Sequence, residues 1–144
     1  MSKRVFIVQE LAQNGEMFAY LSKRKFGEDI GRFFLEQLIK AMHYYTTRGI
    51  CHRDLKSANI VFDDQFNCKI IDFGFADLLR GTIGDGKMRE ICGTPNYAAP
   101  EIMEEHSAYY GRQVDIFSLG VTLFEMCTGF LPFEQATKED ERYK

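Results

Sequence analysis

The 144-residue chain is 45% hydrophobic and 27% charged, the make-up of one ordinary globular domain long enough to bury a core. Its net charge of -3 and pI near 5.6 give no electrostatic footprint for nucleic acid, and no apolar stretch approaches the roughly eighteen residues of a membrane span. Cys51, Cys68, Cys92 and Cys127 have no paired spacing and Met1-Ser2-Lys3-Arg4 lacks the apolar run of a signal peptide, so an intracellular, cytoplasmic setting without disulfides is expected.

Val5-Phe6-Ile7-Val8 is a β-branched and aromatic run that reads as a buried strand, and Gln13-Asn14-Gly15 supplies turn residues before a helical pattern begins at Glu16. Residues 28–48 form the longest helical candidate. Glu28 and Asp29 suit the positive end of its dipole, Ile30, Phe34, Leu38, Met42 and Tyr45 recur as an apolar stripe, and Arg48-Gly49 stops it. His43 has no second ligand at metal spacing and reads as a helix-surface or core histidine.

The stretch His52-Arg53-Asp54-Leu55-Lys56-Ser57-Ala58-Asn59 places a carboxylate beside a lysine and then an amide, and Asp72-Phe73-Gly74 adds a second carboxylate. An amide and a carboxylate that share a divalent cation, with a further carboxylate and a lysine, are the minimum set for moving a phosphoryl group. At roughly one in twenty per specified position, His, Arg, Asp, Leu, Lys and Asn in this order arise by chance about once in 10^7 to 10^8 windows. Coincidence explains them poorly, although an isolated Asp-Leu-Lys triplet would read as a solvated turn.

Ile60-Val61-Phe62 and Lys69-Ile70-Ile71 flank Asp63-Asp64 and predict a short hairpin that folds Asp72 back toward Asn59. Between Gly74 and Glu101 a short polar stretch holds Gly81, Gly84 and Gly86, which together argue against regular structure there. Val114 to Thr128 is apolar on most faces and predicts a helix buried on all sides, with Asp115 as the exception near its start. Gly129 and Pro132 end it.

These motifs resemble the H-R-D-L-x-x-x-N loop, the D-F-G motif and, at Ala99-Pro100-Glu101, the A-P-E motif of the eukaryotic protein kinase family, serine/threonine type. Gly15-Glu16-Met17-Phe18 and the segment from Gly93 to Glu101 are most similar to the calcium/calmodulin-dependent and AMP-activated branch. The fold this resemblance implies is α+β and mainly α: a C-terminal-lobe fragment with a hinge strand, helices and a small catalytic hairpin, so that residues 1–144 are a partial kinase domain. No glycine-rich phosphate loop, lysine strand or partner glutamate helix is found among these residues. The helices that follow the buried helix in the family, and supply an arginine for Glu101, are not found either.

The resemblance implies ATP-dependent phosphoryl transfer to serine or threonine hydroxyls of a protein substrate, with ATP and Mg²⁺ as cofactors. It leaves the oligomeric state open. Asp54 corresponds to the catalytic base or orienter of the substrate hydroxyl, Lys56 to the residue that neutralises the transferring group, and Asn59 and Asp72 to the metal ligands. Glu10 and Ala12 would offer hinge backbone to adenine, Gln9 would be the gatekeeper, Val61 would lie under the base, and Glu16 would face the ribose or a basic substrate side chain.

Arg53 in the family meets a phosphorylated residue of the activation loop, and the threonine expected two residues before Cys92 is Glu90 here, which reads either as a fixed negative charge toward Arg53 or as a solvated loop residue where the site is lost. Thr82 is the other phosphorylation candidate, and Thr94 corresponds to the threonine that contacts the catalytic aspartate. Ala58 stands where arginine-selecting relatives carry glutamate. The alternative is a truncated, catalytically inactive kinase-like binding or competitor module, and either way negligible turnover is expected of these residues alone.

Overall fold

The computed structural model describes residues 4–81, 83–104 and 108–144. Four helices, α1 (Met17–Leu21), α2 (Glu28–Thr47), α3 (Pro100–Met103) and α4 (Gly111–Thr128), dominate it. Two short antiparallel pairs join them: β1 (Ile50–Cys51) with β4 (Asp77–Leu78), and β2 (Ile60–Phe62) with β3 (Cys68–Ile70). The architecture is α+β and mainly α, as the resemblance implies.

The long helix α2 begins with Glu28 and Asp29 and carries the i,i+4 pairs Glu28–Arg32 (2.7 Å) and Glu36–Lys40 (2.6 Å) on its wet side. Gly49, at φ 77°, turns the chain out of the helix where a side chain would be strained. Phe34 and Leu38 pack with Leu119 and Met126 of α4, and with Met17, Leu55, Ile60 and Phe62, to make the main core. Ile30 departs from the expected stripe: it is 51% exposed, because the packed face runs through Phe34, Leu38 and Tyr45 and leaves Ile30 on the solvent side.

Three further expectations are corrected. Val5, Phe6, Ile7 and Val8 form no strand and are 82–95% exposed. An extended run becomes a strand only where a neighbour takes its N–H and C=O groups, and no strand among the described residues pairs with it. The described residues around Gly81, Gly84 and Gly86 form no helix or strand, as expected, and Asp77–Leu78 just before them pairs with β1. Helix α4 is not enclosed on all sides: Ile116 (58%) and Phe124 (39%) face outward. Nor is Asp115 its one buried polar group, for Ser118, Thr122 and Glu125 are buried with it.

A second cluster of Cys51, Met88, Ala99, Ile102, Tyr109 and Val114 fixes the segment after β4 against the start of α4. A third, Tyr97 with Val121, Phe133 and Ala136, holds the residues beyond α4. No helix of the described residues is long and apolar enough to cross a membrane.

Candidate active site

The site grows from a carboxylate that serves as a post. Asp115 lies buried in the first turns of α4 and its Oδ2 and Oδ1 accept the backbone N–H groups of His52 and Arg53, each at 2.8 Å, while the Tyr45 hydroxyl donates to Oδ2 at 3.1 Å. Burial pushes the Asp115 carboxyl up, against the pull of these donors. Two helices and the loop after β1 thus meet at one side chain. Arg53 takes φ 65°, a left-handed conformation uncommon for a residue with a side chain, and the Asp115 clamp on its N–H helps to hold it.

His52 is fully buried and its two ring nitrogens have separate tasks. Nδ1 can only accept from the Asp54 N–H (3.2 Å), so Nε2 carries the hydrogen donated to the Ile71 carbonyl (3.0 Å). The residue before Asp72 is thereby tied to the loop that carries Asp54. Ile71 N–H also donates to the Asn59 carbonyl at 2.9 Å, directly beyond the β2–β3 ladder, which sets Asp72 one residue from the Asn59 backbone.

Asp54 sits among donors. The Thr94 hydroxyl donates to Oδ1 at 2.7 Å, and Lys56 Nζ (2.9 Å) and Asn59 Nδ2 (3.1 Å) both donate to Oδ2. Lys56 Nζ also donates to Thr94 Oγ1 at 2.7 Å, closing a triangle. Only 4% of the Asp54 side chain and 22% of the Lys56 side chain are exposed, so these charge-assisted bonds act where water screens them weakly. A carboxylate has about four lone-pair positions. Three are used, and one remains for a hydroxyl.

Thr94 can reach Asp54 because the chain passes close by at Gly93, φ 87°, where a Cβ would collide with the Arg53 carbonyl oxygen. Asn59 spends its amide hydrogens on the Asp54 carbonyl (2.9 Å) and carboxylate, so its oxygen is what it can offer a cation. Asp72 is exposed, holds φ 60°, and accepts the Gly74 N–H at 3.2 Å on one oxygen. One amide oxygen and one carboxylate are a partial shell of the kind Mg²⁺ accepts when phosphate and water complete it. No group of three His, Cys, Asp or Glu among the described residues could hold a metal by itself.

On the expected nucleotide side, Glu16 bridges antiparallel to Val61, with Asn14 N–H and Gly15 carbonyl paired to Phe62. Val61 is buried and Ala12 half-buried, while Gln9 and Glu10 are exposed and the Glu10 side chain meets Lys69 at 3.0 Å. Ala58 is half-buried and Thr82 lies outside the described residues.

Arg53 gathers the other side of the site. Its Nε donates to the Phe75 carbonyl (2.7 Å), Nη1 to the Tyr109 hydroxyl (3.2 Å) and Nη2 to Glu90 Oε2 (3.2 Å), with Asp77 at 3.8 Å. Burial pulls the guanidinium down, but hydrogen bonds and charge from Tyr109, Cys92 and Glu90 outweigh it and hold it above its ordinary value. Reading the sequence missed Tyr109. It also missed the chain in which Ser57 and Tyr97 share a hydroxyl contact of 3.1 Å and Tyr97 donates to the buried Glu125 at 2.8 Å. Neither has a spacing signal, since a hydroxyl's partner is chosen in three dimensions.

A clamped carboxylate fed by lysine, threonine and asparagine donors thus stands beside an amide oxygen and a carboxylate of the kind suited to Mg²⁺. The sequence pattern of the protein kinase domain matches residues 1–144, and the chain belongs to the protein kinase family. It is 44% identical over 130 residues to CBL-interacting serine/threonine-protein kinase 14 of Arabidopsis thaliana, which is 90% of this chain and 29% of that protein. It is 42% identical over 130 residues to CBL-interacting protein kinase 26 of Oryza sativa subsp. japonica, 90% of this chain and 26% of that protein. The chain therefore spans less than a third of the length of these relatives.

Proposed function

We propose that the chain supplies the catalytic wall of a serine/threonine protein kinase, transferring the terminal phosphoryl group of ATP to a protein hydroxyl. The observation that carries this reading is the coordination of Asp54: three donors orient the carboxylate and one lone-pair position stays open for a substrate hydroxyl. The hydroxyl oxygen attacks the γ-phosphorus, its proton passes to Asp54, the bond to the bridging oxygen breaks and ADP leaves. Lys56, now shared between Asp54 and Thr94, is the cation within reach of the transferring group.

Asn59 and Asp72 are the residues that would hold Mg²⁺, which when bound neutralises phosphate charge. Val61, the backbone of Glu10 and Ala12, and Glu16 are assigned to the nucleotide. Glu90 is assigned a fixed charge toward Arg53 that needs no phosphorylation, and Thr82 remains the second regulatory candidate.

The test is a hybrid in which this chain replaces the matching segment of the Arabidopsis relative, offered ATP and peptides that differ only in carrying serine, threonine or tyrosine as acceptor. Transfer to serine and threonine, with tyrosine peptides inert, is the expected result. A hybrid that shows native helix content but phosphorylates none of them would overturn the reading.

A further inference from the structure

The segment that carries Glu90 must be held against Arg53, and the ion pair between them is poorly placed to do it. The Glu90 side chain is 74% exposed, so water and salt screen its attraction for the 5%-exposed arginine. Tyr109 occupies the opposite situation, at 3% exposure. Its phenol accepts from Arg53 Nη1 at 3.2 Å and donates to the Glu90 carbonyl at 2.7 Å. Its backbone exchanges two hydrogen bonds with Met88, at 2.9 and 3.0 Å, and both residues lie in one buried cluster. Burial pushes the phenol up to about 12, so it is a neutral partner at any physiological pH. A buried donor–acceptor with both roles filled is costly to disturb, whereas an exposed pair is not.

We propose that Tyr109 is a positioning residue of this site: its buried hydroxyl and backbone, rather than the Glu90 carboxylate, clasp residues 88–92 to Arg53. Because Arg53 precedes Asp54, the clasp also bears on where the catalytic carboxylate stands. That last consequence rests on the phosphotransfer reading, and the clasp itself does not. A neutral, buried link is indifferent to ionic strength, which an ion pair is not.

Hydrogen exchange followed by mass spectrometry on the hybrid described above, at about 0.05 and about 1 M NaCl, tests this without nucleotide. Tyr109→Phe keeps the ring and removes the hydroxyl. It is expected to speed exchange in peptides holding Met88 and Arg53 by roughly tenfold at both salts, with α2 unchanged. Glu90→Gln is expected to change the same peptides by less than about threefold, and the difference should vanish at high salt. The proposal is overturned if Glu90→Gln matches or exceeds Tyr109→Phe, if Tyr109→Phe changes nothing, or if it speeds exchange equally throughout the chain. Should the phenylalanine variant fail to fold, the unaltered hybrid decides: salt-independent protection of Met88 supports the clasp, and a rise of about tenfold at 1 M NaCl refutes it. A hybrid without phosphotransfer but with this protection intact would sink the catalytic reading and leave the clasp standing.

Discussion

At the scale of residues, the site depends on groups that hold other groups. Asp115 lies away from the Asp54 carboxylate's donors, yet both its oxygens carry backbone of the loop that leads to Asp54. Asp115→Asn replaces an acceptor with a donor that faces an N–H, and leaving such buried groups unsatisfied costs about 1–3 kcal/mol each. The variant should unfold at correspondingly lower urea, and an unchanged midpoint would show that the post is dispensable. Glu90 is at the other extreme. In an active hybrid, Glu90→Ala should lower the rate by no more than about fivefold, the worth of an exposed pair, and a loss of several orders of magnitude would restore the carboxylate as the main support of Arg53. The thiols give a third readout. Burial pushes Cys51 and Cys68 up to about 12, while Cys127 is exposed. Brief iodoacetamide treatment near neutral pH should label Cys127 first and reach Cys51 only after urea is added.

At the scale of elements, what was legible in the sequence was whatever is periodic or short-range. Helix α2 was, because one stripe and one Gly49 stop describe it, and so was the β2–β3 hairpin, whose turn residues lie between its strands. The Asp54 group was legible as a motif, but only the structure places Thr94 on one carboxylate oxygen and Lys56 on the other. Val5 to Val8 misled because strand-forming residues still require a partner, and Ile116 and Phe124 because an apolar composition does not say which faces of a helix are covered. Past α4 the chain has little pattern, yet Asp140 organises it by accepting the N–H groups of Gln135, Glu134 and Arg142. Those bonds, Gln135 first, hold its carboxyl below the ordinary carboxylate range. A depressed acid stabilises above its unfolded pKa and loses that contribution as pH falls through the folded value. Protection of the amides in residues 133–144, taken relative to their intrinsic exchange rates at each pH, should therefore fall as pH drops below about 4, and protection unchanged from pH 6 to about 2 would contradict the assignment.

At the scale of the whole molecule, the described residues leave several large apolar side chains exposed. Val8 is 95% exposed, Phe130 63% and Ile116 58%. Surfaces of this kind associate, so the 144-residue chain alone should bind a hydrophobic dye and scatter light at micromolar concentration, and its phosphotransfer turnover should be negligible. Transfer needs opposing groups to position and neutralise the phosphates, which is why the chemistry is best measured in the hybrid. The central claim is that Asp54 takes the substrate proton. Its most direct measurement is single-turnover phosphoryl transfer in the hybrid, with and without Asp54→Asn, at saturating ATP. The account predicts a fall of about 10^2 to 10^4-fold with ATP affinity little changed, and a fall of less than about tenfold would contradict it.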